Sequence, residues 1–341
     1  MKVDVQLANS VFEATERAEV LERIGVDGAF TFENMHDVFL PLAAVAPTTS
    51  LELFTNVAIA FPRSPMHLAH MAYDLHRLSR GQFRLGLGSQ VKAHVERRYG
   101  GTWGKPVAQM REWVQAVKAI LAHWQDGTPL DFRGEYTQHT LMTFAFNPGP
   151  NPYGMPKVLV GALGPRMSEM AAEVADGILV MPFNCAAHMA ERTVPAIERG
   201  LATAGRGWDD LEVTVEVIVG AGRNDQELEA AMAIRNLIAF YGSTPAYKPV
   251  LEVLGAADLQ PELQRLSRVG DWAQMATLVD DDLTRTIGVC GTPDQVADQI
   301  IDRYGAWADR ACLYFPFYDA DDDLVAEVTE AIHDRSRMDI A

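Results

Sequence analysis

The stretch that most constrains the fold is KVLVGALGPRMSEMAAEVADGILVM, residues 157–181. Val158 to Val160 reads as a short buried strand. Gly161, Gly164 and Pro165 interrupt it, and Pro165 suits a first helical turn, where a missing N–H is no loss. Met167, Met170, Ala171 and Val174 then recur at helical spacing. Asp176-Gly177 makes a turn, and Ile178 to Met181 is a second apolar run. Two buried strands joined by a helix form a parallel βαβ unit. The turn at Gly161–Pro165 sits where the strand ends and the helix opens. It aims backbone N–H groups and the positive end of a helix at one point, a geometry that binds phosphate. A Gly-rich turn without a ligand accounts for the same residues.

The same alternation extends along the chain. Strands are expected at residues 2–7, 29–32, 51–60, 82–87, 211–219 and 310–315, besides the two above. Helices are expected at 12–24, 41–46, 66–79, 107–124, 186–204, 225–241, 293–304 and 324–337. Residues 126–156 break the rhythm with a small hairpin over 131–136 and a proline-rich run. Residues 242–284, rich in acids, read as a second insertion. Eight strands separated by helices in 341 residues predict one domain, a (β/α)8 TIM barrel with insertions at about 126–156 and 242–284. An open doubly wound sheet is the alternative, but no strand is followed by the glycine fingerprint of a dinucleotide site.

Charge and cysteine usage narrow the function. A net charge of −17 and a pI near 4.9 argue against nucleic acid or an anionic membrane as partner. Three widely spaced cysteines, Cys185, Cys290 and Cys312, fit a reducing compartment and show no metal spacing. No apolar run reaches transmembrane length and the N-terminus lacks a signal h-region, so a cytoplasmic protein is expected.

In a barrel, chemistry gathers at the C-terminal ends of the strands. Those ends hold Glu33 and His36, which could exchange protons with a substrate. They also hold Gly86 and Gly88, whose lack of side chain suits close approach by a flat ligand, and the turn at Gly161–Pro165. Each has a plainer reading as loop or turn. Lys92, His94, Arg97 and Arg98 could clamp an anion or simply form a solvated helix face. No nucleophile triad or metal-binding helix is present. Such a rim suits a bound organic cofactor that carries the chemistry itself.

Several segments together resemble the luciferase-like flavin oxidoreductases, in particular the bacterial branch dependent on the deazaflavin coenzyme F420. They are Glu33 with Asp37-Val38-Phe39-Leu40-Pro41-Leu42, Thr55-Asn56-Val57 with Pro62-Arg63-Ser64-Pro65, Gly81 through Gln90, Gly161 through Met167 with Ala175-Asp176-Gly177, Gly291-Thr292-Pro293-Asp294, and Asp309-Arg310. The resemblance implies a luciferase-like barrel, usually a homodimer. It implies an oxidoreductase passing a hydride between deazaflavin and a small organic substrate. It places a non-proline cis peptide at Asn56–Val57, behind the ring. Asn56, Val57 and Ala58 would then touch the cofactor, as would Gly86, Gly88, Ser89 and Gln90. Gly161, Ala162, Leu163, Gly164, Pro165 and Arg166 would hold its phosphate. FMN is the alternative cofactor, in an FMN-dependent monooxygenase. A non-catalytic flavin- or deazaflavin-binding barrel is the alternative from another class. The chain departs from the family where Ser89 replaces a frequent acid, and where Asn34 stands in place of a frequent His, with His36 coming later.

Overall fold

The computed structural model describes residues 1–8 and 10–338. Eight strands run parallel: β1 (Lys2–Gln6), β2 (Gly28–Thr31), β3 (Glu52–Thr55), β4 (Phe83–Gly88), β5 (Val158–Ala162), β6 (Gly177–Val180), β7 (Glu212–Ala221) and β8 (Arg310–Tyr314). Each pairs with its neighbour in sequence, and β8 pairs with β1, so the sheet closes into the expected (β/α)8 TIM barrel. Among the described residues no helix is long and apolar enough to cross a membrane.

Alternation along the strands sorts side chains between two cores. In β7 the outward Val213, Val215, Val217 and Val219 pack with residues of the surrounding helices such as Leu21, Ile300 and Val328. Glu212, Thr214 and Glu216 take the other face and point into the barrel. The interior is layered. At the N-terminal end Arg310, only 2% exposed, donates through Nε to Asp4 at 2.8 Å and through Nη1 to Glu52 at 2.7 Å. Arg84 pairs with Glu52 and Glu212, and Lys157 with Glu212. Gly28 makes room for this network, since a Cβ there would lie 2.4 Å from Asp4 Oδ1. Above it lies an apolar layer of Phe30, Phe54, Leu159, Leu179 and Cys312. The barrel mouth forms the third layer.

The expected elements depart from the structure in places that have physical reasons. The strand expected over 51–60 is β3 plus a short continuation at Ala58–Ile59, split by a cis peptide at Asn56–Val57. The continuous helix expected over 186–204 is a single turn at Ala186–His188, a π turn at Met189–Thr193 and a helix at Val194–Ala204. Pro195 has no N–H to give to the preceding turn, so regular i→i−4 bonding fails there. The hairpin expected over 131–136 pairs Phe132–Arg133 with Gln138–His139 instead. The Glu112 carboxylate accepts the N–H groups of Glu135, Tyr136 and Thr137 and widens its turn. A further strand, Val289–Gly291, pairs with the end of β7 outside the barrel. Three residues are too few to show a period.

Segment 242–284 forms four helices: Lys248–Val253, Leu259–Val269, Trp272–Thr277 and Asp281–Ile287. Leu251, Leu263, Leu266, Met275 and Ile287 bury themselves with Leu163, Phe183 and Ile218 from the C-terminal ends of β5, β6 and β7. This segment therefore stands over the mouth.

Candidate active site

The helix Pro165–Val174 follows β5 with Gly164 as its N-cap and no side chain capping it. Its opening N–H groups lack helical partners by geometry. Arg166 is exposed beside them and makes no hydrogen bond or ion pair among the described residues. Ala162 and Leu163 are buried, and a Cβ on Gly164 would meet nothing within 4 Å. The turn therefore presents an uncapped helix end, open space and one uncommitted cation.

Val57 changes the reading of the glycines. Its side chain packs against the apolar layer below. A Cβ on Gly88 would lie 2.2 Å from Val57 Cγ2, and one on Gly161 would lie 3.1 Å from Val57 Cγ1. A Cβ on Gly86 would lie 1.8 Å from the Thr55 carbonyl oxygen. Gly86 and Gly88, expected to leave room for a flat ligand, lie against the chain's own strand β3, and Val57 packs beside Gly88 and Gly161. Ala58 is buried and pairs with Leu87. Ser89 donates to the Gln90 carbonyl, and Gln90, with φ of 57°, accepts the Val91 N–H.

No hydrogen bond joins Glu33 and His36 among the described residues. Both oxygens of Glu33 bind the Arg63 guanidinium, at 2.7 and 2.9 Å, and one also accepts the Ile59 N–H. Arg63 also donates to the Ile59 carbonyl, so this carboxylate ties the loop after β2 to the loop after β3. His36 is exposed and makes no hydrogen bond among the described residues. In the basic run, Arg98 donates to the Asn34 carbonyl and lies over the Tyr99 ring, Lys92 pairs with Glu96, and His94 is exposed.

Sequence reasoning passed over Glu216. Asn56, an odd residue in an apolar strand, donates from Nδ2 to Glu216 Oε2 at 3.5 Å, across the mouth from β3 to β7. That amide is the carboxyl's sole hydrogen-bond partner among the described residues, and no cation faces it. Burial pushes its pKa up to about 8, against a small pull from Asn56. The side chain still keeps partial exposure. Three phenols lie close enough to feel its charge. Tyr314 is the inward residue at the end of β8, and Tyr241 and Tyr247 come from the chain over the mouth, with ring centroids 5.9 Å apart and both against Phe183. Burial, then the Glu216 carboxyl, raises the pKa of all three, that of Tyr247 to about 12. The available signal was parity: an acid on the inward face of a parallel barrel strand, where an apolar residue is the norm.

A groove at the opposite end of the barrel, lined by Lys2, Lys157, Trp208, Asp210, Trp307 and Arg310, opens onto the charge network and not onto the strand C-termini.

Residues 3–310 match the model of the luciferase-like monooxygenase family. The chain is 46% identical over 317 residues to an uncharacterized protein of Mycobacterium tuberculosis, covering 92% of this chain and 93% of that one. It is 29% identical to the 5,10-methylenetetrahydromethanopterin reductase of Archaeoglobus fulgidus, over 78% of each. The barrel superimposes on the coenzyme F420-dependent tetrahydromethanopterin reductase from Methanopyrus kandleri with a TM-score of 0.82 at 21% identity, covering 98% of both chains. With the closed barrel, the interrupted third strand and the uncapped helix after β5, this likeness makes the chain an enzyme of the luciferase-like class, and it belongs to the luciferase-like monooxygenase family.

Proposed function

We propose that the protein is an oxidoreductase that binds coenzyme F420 and passes a hydride between it and a small organic substrate. The observation that carries this reading is the uncapped N-terminus of the helix Pro165–Val174 with Arg166 uncommitted beside it. N–H groups and a guanidinium are the donors that a phosphate-bearing cofactor needs. The F420-dependent reductase of M. kandleri and a putative coenzyme F420-dependent oxidoreductase of Mycobacterium tuberculosis, 28% identical over 88% of this chain, support F420 as the cofactor. Bound there, the deazaflavin would supply the hydride chemistry.

The chain's own residues would do the rest. Leu163, Gly164 and Arg166 would hold the phosphate. Val57, with Asn56 and Ala58, would form the wall behind the ring, and Gly88, Ser89 and Gln90 the edge beside it. Glu33, bound to Arg63 and to the Ile59 N–H, would hold the β3 loop in place. Tyr241, Tyr247 and Phe183 would cover the chamber and exclude water. A homodimer is part of the same reading, and the exposed Leu141, Phe144 and Phe146 are apolar surface that a second copy would cover.

Equilibrium titration with F420 and with FMN tests the reading. F420 should bind at least tenfold tighter, a difference of about 1.4 kcal/mol. Arg166→Ala should weaken F420 binding and flatten its salt dependence. FMN binding tenfold tighter than F420 would favour an FMN-dependent monooxygenase and overturn the proposal.

A further inference from the structure

We propose that Glu216 is the proton donor of this enzyme, delivering its carboxyl proton to the heteroatom of a polarised double bond in the substrate. The inference rests on the hydride-transfer reading above and names the group that completes it.

Glu216 sits on the inward face of β7, one layer above Cys312, its register partner on β8. Its side chain keeps partial exposure, and its one hydrogen-bond partner among the described residues, Asn56, belongs to the wall assigned to the cofactor. A carboxylate that were only structural would be expected to have a cation or several N–H donors, as Asp4, Glu33 and Glu212 do. Glu216 has neither.

The titratable groups facing it are Tyr241 and Tyr247 from above, Tyr314 and Cys312 from β8, and none is a base at neutral pH. The three phenol hydroxyls make no hydrogen bond to protein among the described residues, so each has an O–H free to donate to a ligand beside Glu216. That arrangement recognises a neutral substrate carrying a carbonyl oxygen or an imine nitrogen. Because burial holds Glu216 protonated up to a pH of about 8, the acid is available at neutral pH.

Bound deazaflavin would supply the hydride for the new C–H bond, and the C=X π pair would move onto the heteroatom. That atom takes the proton as the Glu216 O–H bond breaks. The carboxylate then recovers a proton from solvent.

The test uses Glu216→Gln, which keeps the shape and a contact to Asn56, and Glu216→Asp, which keeps the acid. Difference infrared titration of the cofactor-free protein, wild type minus Glu216→Gln, should show one protonated-carboxyl band lost with a midpoint near 8. A midpoint in the ordinary carboxylate range, near pH 4–5, overturns the proposal. F420 affinity of Glu216→Gln should stay within twofold of wild type. With benzaldehyde, cyclohexanone and 1-pyrroline as probes, its turnover should fall about 100-fold or more, and Glu216→Asp should recover part with a shifted pH profile. Turnover equal to wild type in Glu216→Gln also overturns it. Failure of the wild type to bind F420 sinks the cofactor reading instead, and the infrared titration still decides the state of Glu216.

Discussion

Substituting Gly88 by alanine tests the claim that the mouth glycines exist for the protein's own strand. The new Cβ would lie 2.2 Å from Val57 Cγ2 and 3.2 Å from Val57 Cβ. Carbon atoms in contact sit about 3.5–4.0 Å apart, so one side must move by more than an ångström. Neither is free to do so: Gly88 accepts the Ala60 N–H at 2.9 Å, and Asn56, next to Val57, donates to Thr31 at 2.7 Å. Overpacking of this kind costs about 1–3 kcal/mol. Val57→Ala removes both γ carbons, which leaves only the 3.2 Å approach, a matter of a few tenths of an ångström. Gly88→Ala should therefore cost at least ~1 kcal/mol less in a Val57→Ala background than in the wild type. Gly86→Ala is the internal control. Its Cβ would lie 1.8 Å from the Thr55 carbonyl oxygen, which no side-chain deletion removes. Urea unfolding of the single and double variants, compared at equal m values, reads the coupling. Additivity of Gly88→Ala and Val57→Ala within about 0.5 kcal/mol, or rescue of Gly86→Ala by Val57→Ala, would refute the reasoning.

Asp4→Asn should destabilise by about 3–5 kcal/mol, because Arg310 is left buried with Glu52 as its one remaining carboxylate; a urea midpoint implying less than about 1 kcal/mol would show that the network tolerates the vacancy. His188 is fully buried, and burial, then the Arg192 charge, lowers its pKa to about 4. The unfolded chain takes up this proton near pH 6.5 while the folded one does not, so stability should fall as pH drops from about 6.5 to about 4, by roughly 3 kcal/mol at most. His188→Asn should flatten that window in thermal unfolding. Glu216 runs the other way: its raised pKa makes stability fall as pH rises from about 4.5 to about 8, and Glu216→Gln should remove that slope.

The barrel was legible because its evidence is local. The run 157–181 displays strand, turn, helix and strand in one window, and its structure differs by a residue or two. Asn56 was legible as an anomaly, a polar residue in an apolar strand whose amide needed a partner. The partner was not, since Glu216 lies 160 residues away and nothing local links the two. The same holds for Glu33 and Arg63, 30 residues apart: as a sequence, an acid near a histidine suggests proton exchange, whereas the fold gives the acid to an arginine. Gly86 and Gly88 announced a close approach without saying of what. Composition does not distinguish a ligand from a neighbouring strand.

The apolar layer of Phe30, Phe54, Leu159, Leu179 and Cys312 divides the barrel's polar contents into two compartments. Below it the carboxylates are matched by arginines and lysines. Above it Glu216 has no cation at all. On β7, Glu212 and Glu216 share one face about 13 Å apart at ~3.3 Å per residue. Burial works against Glu212, but Arg84 and Lys157 outweigh it and hold its pKa below the usual range, while that of Glu216 is pushed up. The one polar atom of the partition, the Cys312 thiol, donates downward to Asp4 at 3.9 Å. The layer thus works as a dielectric seal. A proton given up by Glu216 would have no route from the charged floor, and its replacement would have to enter through the mouth. Each catalytic cycle would then have to breathe through that single door.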